Sequence, residues 1–112
     1  MSIAGDLIRG HTDAIILARL LQSDRYGYEI NKMISTLSSG RFELKEATLY
    51  TAFKRLEELG HITSYWGDSG AGARRRYYTI TPAGRNACHR LLAEWKETKE
   101  IMDNLLDTEV RL

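Results

Sequence analysis

Residues 45–60 read KEATLYTAFKRLEELG, and this stretch decides the fold. Its large apolar residues at positions 49, 53, 56 and 59 recur at the spacing of one buried face of an α-helix. Gly60 is suited to the left-handed conformation that ends a helix. At 100° per residue, the opposite face carries Ala47, Thr51 and Lys54, flanked by Tyr50 on one side and by Thr48 and Arg55 on the other.

This outer face is small and hydroxyl-bearing near its N-terminal end and cationic further along. A helix that enters the major groove of DNA needs this combination, because hydroxyl groups reach base edges and cations hold phosphates. We therefore assign base-edge contacts to Ala47, Thr48 and Thr51 and phosphate contacts to Tyr50 and Lys54. An ordinary amphipathic helix with a solvated face has the same pattern, so the neighbouring segments must distinguish the two.

After residue 60 the apolar period changes from 3.6 to 2, which predicts two strands at 61–66 and 74–80. Residues 67–73 contain three glycines and predict a flexible hairpin tip. Beside this tip stand Arg74, Arg75 and Arg76, and we predict that they contact DNA phosphates. A solvated edge hairpin blunted by charge is the alternative. The alternation places Ile62 and Trp66 on one face with Tyr78 and Ile80, and Arg75 and Tyr77 on the other.

Two helices are predicted before this stretch. Residues 6–22 form the first, which is apolar nearly all round and so must be covered on more than one side, in part by a second subunit. Residues 23–26 are a polar connection, and residues 27–37 form the second helix, followed by a short extended piece at 42–44. Its buried stripe is Ile30, Met33, Ile34 and Leu37, and the residues facing away are Tyr28, Asn31, Lys32 and Ser35. We assign Tyr28 and Lys32 to phosphates, since helices 27–37 and 45–60 fit a winged helix-turn-helix.

A last helix begins with Thr81 as its cap and Pro82 in its first turn, and runs to about Leu106. Its heptad-like seam is Cys88, Leu91, Trp95, Thr98, Met102 and Leu105. Dimerisation through this helix, helped by the first, would cover the seam; an intramolecular lid is the alternative. The predicted fold is mainly α (α+β), with a winged helix-turn-helix domain at residues 1–81, a two-stranded wing at about 61–80, and a dimerisation helix at 82–112 in the same compact unit.

Composition fits one soluble domain, since the 112 residues are 43% hydrophobic and 28% charged. The net charge is only +1, but residues 1–93 hold 13 basic against 9 acidic residues (+4), whereas residues 94–112 hold 3 against 6 (−3). A basic body with an acidic tail is compatible with DNA binding on one side. The single cysteine, the lack of a signal-peptide pattern and the lack of a bilayer-length apolar run predict a cytoplasmic protein with no membrane partner.

The sequence contains no recognisable motif for an enzyme active site or a metal site. His11, His61 and His89 have no companions at metal-ligand spacing. The glycines at 67–72 lack the Lys-Ser/Thr helix start of a phosphate-binding loop, and no pattern places Ser, His and Asp together as a triad. We expect no catalytic residues, no metal site and no cofactor.

Seven short motifs occur in order: YGYEI at 26–30, ATLY at 47–50, FKRLE at 53–57, LG at 59–60, YW at 65–66, RRRYY at 74–78 and TPAG at 81–84. Across residues 10–106 they resemble the PadR family of bacterial transcriptional regulators. The short length and single C-terminal helix are similar to the compact subfamily typified by the multidrug-sensing repressor LmrR. The resemblance implies a winged-helix homodimer that binds palindromic promoter DNA, usually as a repressor. A winged-helix protein–protein interaction module without DNA binding is the alternative.

The resemblance to the LmrR type also implies an apolar pore at the dimer centre, where a tryptophan from each subunit stacks on flat aromatic compounds. Trp95 falls at that position, and the implied lining consists of Ala14, Ala18, Cys88, Leu91 and Leu92. Lys99 stands where the LmrR type carries an acid, one turn after the tryptophan, so a preference for cationic ligands does not follow. The alternative role for Trp95 is packing at a heptad seam, because tryptophan is enriched at such interfaces.

Overall fold

The computed structural model describes residues 3–68, 72–109 and 111. These residues form five helices and three strands: α1 (Ile3–Arg9), α2 (Thr12–Leu20), β1 (Arg25–Tyr26), α3 (Gly27–Leu37), α4 (Glu46–Glu58), β2 (Ile62–Asp68), β3 (Arg74–Ile80) and α5 (Pro82–Leu105). A helix-rich α+β fold with a small sheet and a long last helix confirms the predicted fold class. Part of the predicted hairpin tip, residues 69–71, lies outside the described residues. Within the described residues, no helix has the length and apolar character needed to cross a membrane.

The sheet of the described residues has three antiparallel strands in the order β1-β3-β2. β2 and β3 form the wing, with Ile62 opposite Ile80 and Asp68 opposite Arg74. β1 adds to the other edge of β3, where Arg25 lies opposite Tyr78. The prediction of a polar connection at 23–26 was wrong in this respect, because a strand of two residues is too short to show an alternating pattern.

The segment at 42–44 is not a strand, although Phe42 and Leu44 are buried. Asn31 of α3 supplies the hydrogen bonds that a neighbouring strand would give. Its side-chain amide donates to the carbonyl oxygen of Leu44 at 2.7 Å, and its Oδ1 accepts from the Leu44 N–H at 2.9 Å. Asn31, which the sequence places on the side of α3 facing away from the buried stripe, is half-buried, and its side chain fastens the approach to α4 onto α3.

The predicted first helix at 6–22 is broken into α1 and α2 at Gly10 and His11. Glycine is a poor helix former, and the hydroxyl of Thr12 donates to the carbonyl oxygen of Arg9 at 2.7 Å, so the turn has its own local hydrogen bond. The N–H of His11 donates to the carbonyl oxygen of Ile8 at 2.8 Å. The chain therefore forms two short helices where the sequence predicted one continuous helix.

The core lies between α2, α3, α4, the start of α5 and the base of the sheet. Phe53 stacks on Tyr78 with ring centroids 3.9 Å apart, and both are buried. The predicted burial of the α4 stripe is confirmed for three of its four members but not for Leu59, which is 56% exposed. Leu37 is likewise 65% exposed, because both leucines lie at the last residue or cap of a helix whose end passes beyond the core. Trp66 is 58% exposed for a similar reason, since it stands far along the wing.

α5 begins as predicted, with the Thr81 hydroxyl accepting a hydrogen bond of 3.0 Å from the N–H of Gly84. Gly84 is required there, because a Cβ atom at this position would lie 2.0 Å from the backbone oxygen of His61. The buried residues of α5, namely Gly84, Ala87 and Cys88, all lie in its first two turns. Every residue of α5 from position 92 onward is exposed, so its second half projects from the subunit without cover.

Candidate nucleic-acid interface

The outer face of α4 is open to solvent along its whole length. Ala47, Thr51 and Lys54 are exposed, and Thr48 is half-buried at one flank. This face is free because Leu49, Phe53 and Leu56 on the opposite side hold α4 against the core. We refer to α4 as the recognition helix from here on. Gly60, which follows it, has a φ of +74°, as predicted for a glycine that ends a helix.

Tyr50 connects the recognition helix to the start of α3. Its ring lies edge-on to Phe53 with centroids 5.5 Å apart. Its hydroxyl lies so near Gly27 that a Cβ atom on Gly27 would be 2.9 Å from it. The glycine therefore permits a close approach, and the N-terminal end of α3 comes to lie beside the recognition helix. Tyr28 and Lys32, predicted to contact phosphates, are both exposed on α3.

The three wing arginines are not equivalent. Arg74 and Arg76 share one face of β3, and Arg75 points to the other, as strand alternation requires. The guanidinium of Arg75 lies 4.5 Å from the ring centroid of Tyr26, and that of Arg74 lies 5.4 Å from the ring of Trp66. All three arginines are exposed. Because they alternate along the strand, the arginines predicted to contact phosphates lie on two sides of the wing.

Arg76 is held by groups of its own chain. Its Nε donates to the Ser64 hydroxyl at 3.0 Å, and one Nη lies 3.4 Å from a carboxylate oxygen of Glu57. Glu57 belongs to the recognition helix, so this contact ties the wing to that helix. Of the three arginines, Arg76 is the one whose charge is already opposed by a carboxylate at ion-pair distance within the described residues.

A cluster of tyrosines supports the other face of the wing. Tyr77 stacks on Tyr65 and lies edge-on to Tyr26, with centroids 5.6 Å apart in both pairs. Gly67 allows this packing, because a Cβ atom there would lie 2.7 Å from the Tyr77 ring. The Tyr65 hydroxyl donates to Asp24 Oδ2 at 2.7 Å, and this hydrogen bond raises the pKa of Tyr65 above its usual value. The cluster fixes the side of the wing that carries Arg75.

Arg55 of the recognition helix forms an ion pair with Asp13 of α2 that was not predicted from the sequence. Its Nε donates to Asp13 Oδ2 at 3.2 Å, while one Nη contacts Oδ1. The hydrogen bonds with Asp13 raise the pKa of Arg55 above its usual value. The periodicity placed Arg55 on a flank without a role, and no local pattern could pair residues 42 positions apart.

The residues implied to line a ligand pore do not all lie at one place in the subunit. Ala14, Leu91 and Trp95 border a groove of about 480 Å³ between the start of α2, the end of α4 and α5. Ala18, Leu92 and Lys99 lie outside this groove, on surfaces of α2 and α5. The ring of Trp95 is 49% exposed and lies edge-on to His11, with centroids 5.1 Å apart.

Cys88 does not face any such surface. Its side chain is completely buried in the core of the subunit, and this burial raises the pKa of its thiol. The expectation that Cys88 lines the pore is therefore corrected: position 88 belongs to the part of the seam that packs inside the chain. The described residues also contain no group of three or more His, Cys, Asp or Glu side chains that could hold a metal ion.

An exposed recognition helix after a shorter helix, followed by an arginine-bearing wing, defines a winged helix-turn-helix protein. Residues 16–90 match the model of the transcriptional regulator PadR-like family, and the chain belongs to this family. A transcriptional regulator from Clostridium thermocellum is 42% identical, with a TM-score of 0.84 over 95% of this chain and 100% of that one. A PadR family transcription regulator from Clostridium difficile is 37% identical, with a TM-score of 0.76 over 87% and 99%.

A further relative, an uncharacterized protein from Lysinibacillus sphaericus, is 47% identical over 105 residues, which is 94% of this chain and 96% of that protein. Family membership makes the chain a DNA-binding transcriptional regulator and not an enzyme. The alternative considered from the sequence, a protein-interaction module without DNA binding, does not agree with this family membership.

Proposed function

We propose that the protein is a homodimeric repressor that binds palindromic promoter DNA through two recognition helices, one per subunit. The observation that carries this proposal is the open outer face of α4, held against the core by its opposite side. Ala47, Thr48 and Thr51 read base edges in the major groove, where a helix fits and every base pair presents a distinct pattern. The groups that hold phosphates are Tyr28, Lys32, Tyr50, Lys54, Arg74, Arg75 and Arg76. We place the protein in the cytoplasm, where it meets this DNA.

The dimer forms through the second half of α5 and is assisted by α2. Leu92, Trp95, Ile101, Met102 and Leu105 are all exposed on this half although they are large and apolar. Burying a face of this size is favourable by about 25 cal/mol per Å² of apolar surface, and a second copy offers the matching face. In this proposal residues 1–81 are the winged-helix domain and residues 82–112 the dimerisation helix, of which residues 110 and 112 lie outside the described part of the chain.

As in the LmrR type that the sequence resembles, the dimer binds flat, hydrophobic aromatic molecules at its interface. Trp95 stacks on the ligand, and Ala14, Ala18, Leu91 and Leu92 surround it, with Lys99 at the edge. Support comes from the half-exposed ring of Trp95 beside a groove of about 480 Å³, within the usual range for ligand pockets of about 300–1,000 Å³. A ligand acts by binding one separation of the recognition helices better than another.

Selection of duplexes from a random-sequence library by the purified protein tests the DNA-binding proposal. We expect palindromic sites whose half-sites lie about one helical turn, or roughly 10 base pairs, apart, bound by a particle of twice the chain mass in sedimentation. Lys54→Ala should weaken all duplexes similarly and lower the salt slope by about 0.9 per bound subunit. Lys96→Ala, an exposed lysine on α5, is the matched control. A selected site without symmetry, or a monomer on DNA, contradicts the proposal.

A further inference from the structure

A second groove runs along the recognition helix on the flank that faces away from the wing. It measures about 370 Å³ and is lined by Arg9, Thr12, Ala47, Thr48, Thr51 and Arg55. Ala47 and Thr51 belong to the outermost face of the recognition helix. The groove therefore opens on the same side as the surface that meets DNA, and its other wall is the junction between α1 and α2.

The position of this groove has a simple consequence for DNA binding. A helix is about 10–12 Å in diameter and the major groove is about 12 Å wide, so a bound helix has a phosphate backbone on each flank. Tyr50, Tyr28, Lys32 and the wing all lie on one flank. None of the phosphate contacts predicted from the sequence lies on the flank of Thr48, and the structure places Arg9 and Arg55 there.

We infer that Arg9 and Arg55 form a second phosphate-binding wall, which holds the DNA strand on the flank of the recognition helix opposite the wing. Thr48 and Thr51 lie between this wall and the base edges. Both arginines are longer than the threonines beside them, as a contact with the backbone at the groove margin requires. Arginine suits this role because its planar fork presents five N–H donors and can hold a phosphate while keeping another partner.

Each arginine already has such a partner. Arg55 is bound by Asp13 through Nε and one Nη, which leaves its second Nη as a donor and fixes the plane of the guanidinium. Arg9 contacts Asp6, one turn back on α1, through a single Nη. The two carboxylates hold the arginines in place and also oppose an approaching phosphate. Removing one of the carboxylates while keeping its arginine should therefore strengthen DNA binding.

The salt dependence of DNA affinity tests this inference in the full-length protein. The probes are a duplex selected by the wild-type protein and an unrelated duplex of equal length, measured by fluorescence anisotropy between low and moderate NaCl. Each phosphate contact contributes about 0.9 to the slope of log affinity against log salt, so the double variant Arg9→Ala, Arg55→Ala should lose about 1.8 per bound subunit on both duplexes. Arg85→Ala with Arg90→Ala, which removes the same charge from exposed positions on α5, is the control.

A second comparison keeps both arginine side chains and changes only a carboxylate that neighbours an arginine. Asp6→Asn removes the partner of Arg9, and Glu94→Gln removes the corresponding partner of Arg90, which lies 3.9 Å away on α5. Asp6→Asn should tighten DNA binding severalfold relative to Glu94→Gln. The inference is overturned if the slope of the Arg9, Arg55 double variant equals that of its control, or if Asp6→Asn and Glu94→Gln bind alike. Absence of DNA binding by the wild-type protein would instead contradict the proposed function.

Discussion

The phenol of Tyr65 donates a 2.7 Å hydrogen bond to the carboxylate of Asp24, and this bond joins the wing to the loop before β1. Only the neutral phenol can donate, so the bond favours the protonated form and raises the pKa of Tyr65. A group with a raised pKa in the folded state contributes stability that is complete below its ordinary pKa of about 10 and is lost as the pH rises through the folded pKa. This hydrogen bond should therefore be insensitive to pH near neutrality and should be lost as the pH rises through the pKa of Tyr65.

We expect Asp24→Ala to lower the pH at which one tyrosine ionises. Ultraviolet absorbance of tyrosinate during an alkaline titration measures this, and Tyr65→Phe identifies the transition by removing it. Asp68→Ala, an exposed acid at the far end of β2, should leave the titration unchanged. Identical titration curves for the wild type and Asp24→Ala would show that the hydrogen bond does not hold the phenol in solution.

Arg75 and Arg76 should respond differently to the same substitution. Arg75→Ala removes an exposed guanidinium that rests on Tyr26, and should lower the salt slope of DNA affinity by about 0.9 per subunit with little effect on stability. Arg76→Ala breaks the contacts with Glu57 and Ser64, and should cost about 0.2–1 kcal/mol of stability, the range for exposed ion pairs, with a smaller change in slope. Thermal melts and anisotropy titrations at several salt concentrations separate the two effects. Equal behaviour of the two variants would contradict the additional structural role of Arg76.

Gly84 should tolerate no side chain. Its missing Cβ leaves room for the backbone oxygen of His61, and a backbone cannot move aside as a flexible side chain can. Gly84→Ala should therefore destabilise the fold by about 1–3 kcal/mol or more, as overpacking does. Gly10→Ala is the matched control, because a Cβ there would meet its nearest neighbour at an ordinary 3.4 Å. Chemical denaturation measures both, and a Gly84→Ala variant as stable as Gly10→Ala would refute the close packing of α5 on this turn.

Trp95 should report ligand binding by its fluorescence. Titration with flat aromatic compounds, cationic and anionic, should quench the wild-type emission in a saturable way and leave a Trp95→Ala variant unaffected. Trp66, exposed on the wing, supplies a constant background that the variant reveals. Lys99→Glu should shift the preference toward cations, because the charge beside the ligand is reversed. If no compound quenches Trp95, the ring is a packing residue in contact with His11 and the ligand proposal fails.

The elements with a strong period were predictable, and those set by partners distant in sequence were not. The recognition helix, α3, the wing and the cap of α5 each carry a local signal of spacing or capping. The strand β1 and the role of Asn31 have no such signal, because each depends on a partner brought close by folding. The full burial of Cys88 was missed for a related reason: a heptad pattern does not show which half of the seam packs inside its own subunit.

The candidate DNA surface, too, could be predicted from the sequence only in part. Residue type and face were enough to select the outer side of α4, whose exposure the structure shows. They could not distinguish Arg76 from its neighbours, since the Glu57 that opposes its charge is reached only through the register of β2 and β3. Arg9 and Asp13 had no signal at all, because the break between α1 and α2 that brings them to the recognition helix is a tertiary feature.

The wing is anchored on both of its faces, to the recognition helix through Arg76 and Glu57 and to the loop before β1 through Tyr65 and Asp24. The recognition helix and the wing should consequently move as one rigid unit. A ligand between the α5 helices of the proposed dimer would then leave the preferred half-site sequence unaltered. It would change only the length of the spacer between the two half-sites that the dimer can bind. Operators with one base pair inserted or deleted at their centre would distinguish the ligand-bound state from the free one.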